Sequence, residues 1–356
     1  MRIYNYKKKN HQNIFLIGTL LIVTTYFLAF FFNEDSSGGG QLDFEQHIFN
    51  NFLLFFSSNL KEINWEFYDS TSLPLHYIIS KFLIFSDQKN YYRLFWFIFS
   101  FLAPVLLYFL INLSPQFKNN SKFENIFLAS CILLSPYYRT SSVWGLEENI
   151  GIVCLLTTLI FFKLYLNNSS QSSLILLILF TCLTFLSRQS YLFLLLIIFF
   201  SIVNFNHIFK KNNFLICLYF FIFLIPSMYF FYIWNSLVPP MADSRSGFVK
   251  INNLPTILNI IIIYTLPFAF IWVRNIKIKI QLKQLLIIFL LFIFYFFLFS
   301  TYTWTSNGSG AIPKLLTIFI ESYQIKKFIL LISSFISLII IFLITQNNNI
   351  LRFFSY

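Results

Sequence analysis

The chain has 356 residues, is 58% hydrophobic and 11% charged, and carries a formal net charge of +12 with a mean hydropathy of +0.72. A soluble domain is roughly a quarter charged, so this composition excludes an ordinary water-facing globule. Its Lys and Arg fall in short segments between apolar runs, which excludes a basic nucleic-acid-binding domain and reads as a topogenic signal.

Arg2, Lys7, Lys8 and Lys9 precede the apolar run Ile14–Phe32. The run is too long for a signal-peptide core and lacks a small-residue cleavage site. It is expected to be a retained first span with a cytoplasmic N-terminus. Residues 33–90 then form the first outer loop, opening with Ser36-Ser37-Gly38-Gly39-Gly40 as a flexible linker. Leu73–Phe85, at 13 residues, is short for a crossing that needs about 20, so it reads as interfacial or re-entrant.

Further spans are expected at Tyr91–Ile111, Phe123–Leu134, Asn149–Leu166, Ser173–Leu186 and Tyr191–Asn204. Phe214–Trp234, Thr256–Val273 and Leu285–Ser300 follow, with one or two more after Ser300. The fold class is an all-α polytopic transmembrane bundle of about ten or eleven spans. It is read as a single membrane domain over 1–356, with further outer loops at 235–255 and 301–313.

Charge tests this map. Lys118, Lys122, Lys163, Lys210, Lys211, Arg274 and Lys277 fall inside. Eleven of the thirteen acids fall outside: Glu34, Asp35, Asp43, Glu45, Glu62, Glu66, Asp69, Asp87, Glu147, Glu148 and Asp243. A full crossing at Leu73–Phe85 would reverse everything after it, against the positive-inside bias.

The outer segments hold the polar residues able to do chemistry. In Leu42-Asp43-Phe44-Glu45-Gln46-His47, Asp43 and His47 share a helix face while Glu45 points elsewhere. Asp43 suits a general base or, more plainly, a helix cap. Asp69 precedes Leu73-Pro74-Leu75, where Pro74 fits a first helical turn and Asp69 to Ser72 supply caps. His76 reads as a buried, hydrogen-bonded histidine. Glu147 and Glu148 follow Ser135-Pro136-Tyr137-Tyr138-Arg139 and open a span, where they favour the helix dipole or mark a site. Arg188 follows the Ser173–Leu186 span and is shaped to grip a phosphate. Asp243 and Arg245 follow Pro239-Pro240, and Asn307-Gly308-Ser309-Gly310 is a flexible turn. The four cysteines, Cys131, Cys154, Cys182 and Cys217, make no CxxC or Cys/His cluster, so neither disulfides nor zinc are expected.

The order of these elements resembles the GT-C superfamily of glycosyltransferases that use polyprenyl-phosphate sugars. Tyr68-Asp69-Ser70-Thr71-Ser72-Leu73-Pro74 and Leu186-Ser187-Arg188-Gln189-Ser190 resemble segments of the dolichyl-phosphate-glucose α-1,2-glucosyltransferase family. Protein O-mannosyltransferase-like bacterial enzymes are similar too, over roughly residues 14–250. The resemblance implies that Asp43 is the catalytic base with Glu45 beside it, that Glu147 or Glu148 is the second acidic site residue, and that Arg188 is a ligand of the lipid phosphate; Asp69 and Arg245 complete the expected substrate-binding set with Glu147, Glu148 and Arg188. It implies hexose transfer from a polyprenyl-phosphate donor to a glycan, lipid or protein acceptor, with inversion at C1. No metal or other cofactor is expected, although an Asp/Glu cluster could bind Mg²⁺ or Mn²⁺. Two departures stand out: the acids read Asp-Phe-Glu rather than an adjacent pair, and the paired-Pro segment is reduced to Leu-Pro-Leu. The Asn-rich, AT-biased composition fits a bacterium, hence an inner membrane with a periplasmic site. The rival classes are a polytopic transporter or lipid flippase and a polysaccharide polymerase or ligase; mid-span acids and an internal repeat, expected of a transporter, are lacking.

Overall fold

This computed structural model describes residues 2–60, 62–118, 120–203, 211–241, 254–255, 258–259, 282–299, 316 and 319–346. The regular structure among the described residues is helical. Four helices are long and apolar enough to cross a bilayer: Gln12–Phe31, Lys89–Leu113, Glu148–Asn168 and Asn213–Trp234. The chain is an α-helical membrane protein. Gln171–Ser187, Gln189–Ile202 and Phe289–Leu298 are apolar but shorter. The expected span Thr256–Val273 and the loop 301–313 lie largely or wholly outside the described residues.

The chain divides into two compact units, one of residues 1–35 and 39–246, the other of 36–38 and 247–356. The first opens with α1 (Arg2–Phe31), α2 (Gly40–Asp43), a π-helical turn (Phe44–Ile48), α3 (Phe49–Ser57) and α4 (Leu75–Leu83). Next come α5 (Lys89–Ser100), α6 (Leu102–Leu113), α7 (Lys122–Ser130) and α8 (Pro136–Trp144). Last are α9 (Glu148–Asn168), α10 (Gln171–Ser187), α11 (Leu192–Ile202) and α12 (Lys211–Trp234).

Helix α4 spans nine residues, about 13 Å at 1.5 Å per residue, against a hydrocarbon core of about 30 Å. It buries Leu75, His76, Tyr77 and Ser80 and exposes Phe82 and Leu83, the one-sided pattern of a helix lying against a bundle. Lys81 Nζ donates to the carbonyls of Phe55 and Ser58, both at 2.7 Å, and so closes the C-terminal end of α3.

Named contacts give the helix directions. Phe15 of α1 packs on Phe127 of α7, and Thr25 near the other end of α1 accepts from Arg139 of α8. The broken helix α7–α8 therefore runs parallel to α1. The α5–α6 pair runs the opposite way, since Arg93 donates to Asn33 while Asn125 donates to Asn112. Asn33 and Lys89 thus lie at the same end of the bundle. The intervening residues leave and return there.

One expected boundary changes. The segment Ser135–Arg139, expected as an outer loop after a span ending at Leu134, continues as helix. Ser135 Oγ accepts the Tyr138 N–H at 3.3 Å, and Pro136 occupies the first turn, where its missing N–H does no harm. Helix α8 ends at Gly145, whose φ of 64° is left-handed and where a Cβ would stand 3.0 Å from the Tyr92 ring.

Helices α9 and α10 form a hairpin, joined side by side through Thr158 and Thr184 at 3.2 Å and the stacked Phe161 and Phe180 rings. Helix α12 runs parallel to α10, with Tyr219 near Gln171 and Phe231 near Phe185. Its last residue, Trp234, stacks on Tyr68 and meets Trp65. Asn33, Tyr68, Lys89, Trp144, Glu148, Arg188 and Trp234 accordingly gather at one end of this unit. In the second unit, helices Leu282–Leu298 and Tyr323–Gln346 meet through Tyr295 and Ser334 at 2.7 Å, and Asn259 donates to the Leu330 carbonyl.

Candidate functional site

At that common end a cleft of about 180 Å³ is lined by Asp43, His47, Ile48, Asp69, Ser70, Thr71, Leu146, Glu147, Glu148 and Arg188. Four segments far apart in sequence build it: the α2–α3 segment, the chain before α4, the start of α9 and the end of α10.

The α2 segment begins on a cap that the sequence disguised as a linker. The Asp35 carboxylate accepts from the N–H groups of Gly39 and Gly40 at 2.8 and 3.1 Å. Gly40 is buried against Thr140 and Trp144 of α8. The cap is therefore Asp35, and Asp43 makes no capping hydrogen bond. Beyond Asp43 the helix widens into the π-turn. Phe44 and Ile48 face the core while Asp43 and His47, four residues apart, both reach the cleft. Such turns are rare and recur at functional sites.

His47 Nδ1 lies 2.6 Å from Asp69 Oδ2. An ionised carboxylate only accepts, so Nδ1 carries the proton and donates. Asp69 does not cap α4 as expected; its backbone is pinned instead. Asn51 donates to the Asp69 carbonyl and accepts its N–H, both at 2.9 Å.

Glu147 lies one residue before the Glu148–Asn168 span and is buried. Its Oε1 accepts from Tyr77 Oη at 2.5 Å and Ser70 Oγ at 2.7 Å. Burial pushes its carboxyl above the ordinary range, opposed by the Tyr77 and Ser70 hydrogen bonds and by the charge of Arg188. Tyr77 stays a neutral donor, since burial and the neighbouring Glu147 both raise its phenol. Glu148 instead pairs with Arg188 at 3.1 Å. The Glu148 charge raises the affinity of the guanidinium for its proton, against the cost of its burial.

Of the residues singled out by sequence, Asp43, Asp69, Glu147, Glu148 and Arg188 line the cleft together. Glu45 does not. The helical turn carries it to the exposed flank, where Gln41 Nε2 donates to it at 3.1 Å. Asp243, Arg245 and the Asn307–Gly310 turn lie outside the described residues. His76 is buried as expected, stacked on Trp96 at 4.0 Å and hydrogen-bonded to Tyr92, and burial lowers its imidazole to about 3. It belongs to the core rather than the cleft. His47, Ser70 and Tyr77 also belong to the site, though the sequence reading assigns them no site role. Only His47 carried a signal, its four-residue spacing from Asp43.

No family model, curated protein or solved structure matches the chain.

Proposed function

We propose that this cleft is the active site of a GT-C-type glycosyltransferase, which moves a hexose from a polyprenyl-phosphate donor to an acceptor on the non-cytoplasmic face of a bacterial inner membrane. The observation that supports the reading is the meeting of Arg188 with Asp43, Asp69, Glu147 and Glu148 in one cleft at one end of apolar helices. A polyprenyl-phosphate donor keeps its tail in the bilayer and offers phosphate and sugar at just that level.

The parts suit the reaction. Among the described residues, Arg188 is the cleft's guanidinium, shaped for a phosphate that gathers charge as C1–O breaks. Its present partner is Glu148, so donor phosphate would compete for the same N–H groups. Glu147, fixed by Tyr77 and Ser70, suits hydrogen bonding to sugar hydroxyls. Attack by an acceptor hydroxyl needs a base to take its proton. Among the described cleft residues, the Asp43 carboxylate and the His47 imidazole are candidates for this role.

The test is transfer by the full chain in proteoliposomes. Radiolabelled polyprenyl-phosphate hexoses are supplied with lipid, glycan and peptide acceptors, and both labelled product and released polyprenyl phosphate are read. Hexose transfer that weakens on Arg188→Gln is the expected result. A wild-type chain that consumes no donor, but moves lipid-linked sugar across the bilayer intact, would make it a flippase instead.

A further inference from the structure

We propose that His47 is the proton acceptor of this cleft and that Asp69 is its positioning residue, an assignment that rests on the transferase reading above. The sequence resemblance gives the base role to Asp43. The geometry points to its neighbour one turn on.

Three observations carry this. His47 Nδ1 and Asp69 Oδ2 stand at 2.6 Å, with side chains 26% and 17% exposed, so the bond is sheltered while the ring still reaches the cleft. Asp69 is itself held through both backbone groups by Asn51, a buried side chain on α3 that also donates to Tyr77 Oη at 3.3 Å. With the proton fixed on Nδ1, the lone pair sits on Nε2, which makes no hydrogen bond to any described residue. An aspartate that fixes the tautomer and orientation of a histidine in this way prepares a general base. Asp43, four residues earlier, is exposed on the same helical segment. Among the described residues, the charged groups sharing the cleft are Asp43, Asp69, Glu147, Glu148 and Arg188.

In the step, the acceptor oxygen forms its bond to C1 as its proton passes to Nε2. The C1–O bond to phosphate breaks with its electron pair leaving on the phosphate oxygen. The imidazolium, balanced by Asp69, then returns its proton to solvent.

Diethyl pyrocarbonate, which acylates an imidazole nitrogen bearing a lone pair, tests the pair without any donor. Mass spectrometry of the treated full chain should find His47 modified and the buried His76 unmodified. Asp69→Asn replaces an acceptor by an amide that can donate to Nδ1, which moves the ring proton to Nε2. The His47 rate should then fall by at least about tenfold. In the transfer assay, His47→Ala should lose on the order of 100-fold or more, and added imidazole should restore part of it. A wild-type His47 that resists the reagent, an unchanged rate in Asp69→Asn, or a His47→Ala loss that imidazole leaves untouched would each overturn the assignment. A wild-type chain that transfers no hexose, yet labels as described, would sink the transferase reading and leave the prepared imidazole standing.

Discussion

Arg188, just past α10, and Glu148, in the first turn of α9, pair at 3.1 Å and tie the α9–α10 hairpin shut at the cleft. Both side chains are more than a third exposed. Solvent screens such a pair, so it is worth about 0–1 kcal/mol to folding. Arg188→Gln should therefore shift the melting temperature little while raising the KM for donor. A large drop in melting temperature would show that Arg188 serves the fold.

The Arg139–Glu34 pair is the contrasting case. Arg139 donates from Nε and Nη2 to both Glu34 carboxylate oxygens, and is only 12% exposed. It also reaches the Thr25 carbonyl, and Trp144 Nε1 donates to the Glu34 carbonyl. Arg139→Ala leaves a half-sheltered carboxylate without its fork and should cost about 2–3 kcal/mol. Thermal denaturation in detergent should rank it clearly below Arg188→Gln.

Tyr77→Phe removes a donor to the buried Glu147 and should destabilise by about 1–3 kcal/mol. The pH dependence has a definite sign. Burial raises the Glu147 carboxyl above its ordinary value of 4.5, so the folded chain holds that proton more tightly than the unfolded one. This group's contribution to stability is intact below the ordinary value and is lost as pH rises through the raised one. Glu147→Gln should thus gain on wild type as pH increases from about 4. Parallel stability profiles for the two chains would refute it.

Gly40 sits where an added Cβ would overlap the Thr140 methyl and stand 3.3 Å from the Trp144 ring. Thr140 is branched and buried, so it cannot swing away. Gly40→Ala should push α2 off α8, with an overpacking cost of about 1–3 kcal/mol. Since Asp43 and His47 follow on the same helix, diethyl pyrocarbonate labelling of His47 should change with it. Gly39→Ala is the control at a neighbour with open space, though its φ of 106° carries strain of its own.

Single-cysteine labelling checks the membrane orientation. Asn50→Cys and Ser190→Cys, both exposed at the cleft end, should react with an impermeant thiol reagent added outside. Asn168→Cys, exposed at the opposite end of α9, should react only after permeabilisation. If Asn50 and Ser190 label from opposite faces, the cleft does not exist in the membrane.

Apolar run length and the placement of Lys against Asp and Glu already determined the protein's class. They set an all-helical membrane chain, a first span near Ile14–Phe32, and a segment around Leu73–Phe85 too short to cross. Each is a local property: a bilayer of fixed thickness demands a minimum run, and nine helical residues cannot meet it. Which polar groups touch was decided only by tertiary structure. His47 finds Asp69 across 22 positions, Tyr77 finds Glu147 across 70, Ser70 finds Glu147 across 77, and Arg139 finds Glu34 across 105. Helical periodicity says which face of a segment turns toward neighbours and nothing about which neighbour arrives there. The reach of Asp35 back onto Gly39 and Gly40 was hidden for a related reason. A glycine run reads as slack chain until the carboxylate that accepts its N–H groups is seen, because backbone donors leave no trace in the side-chain pattern.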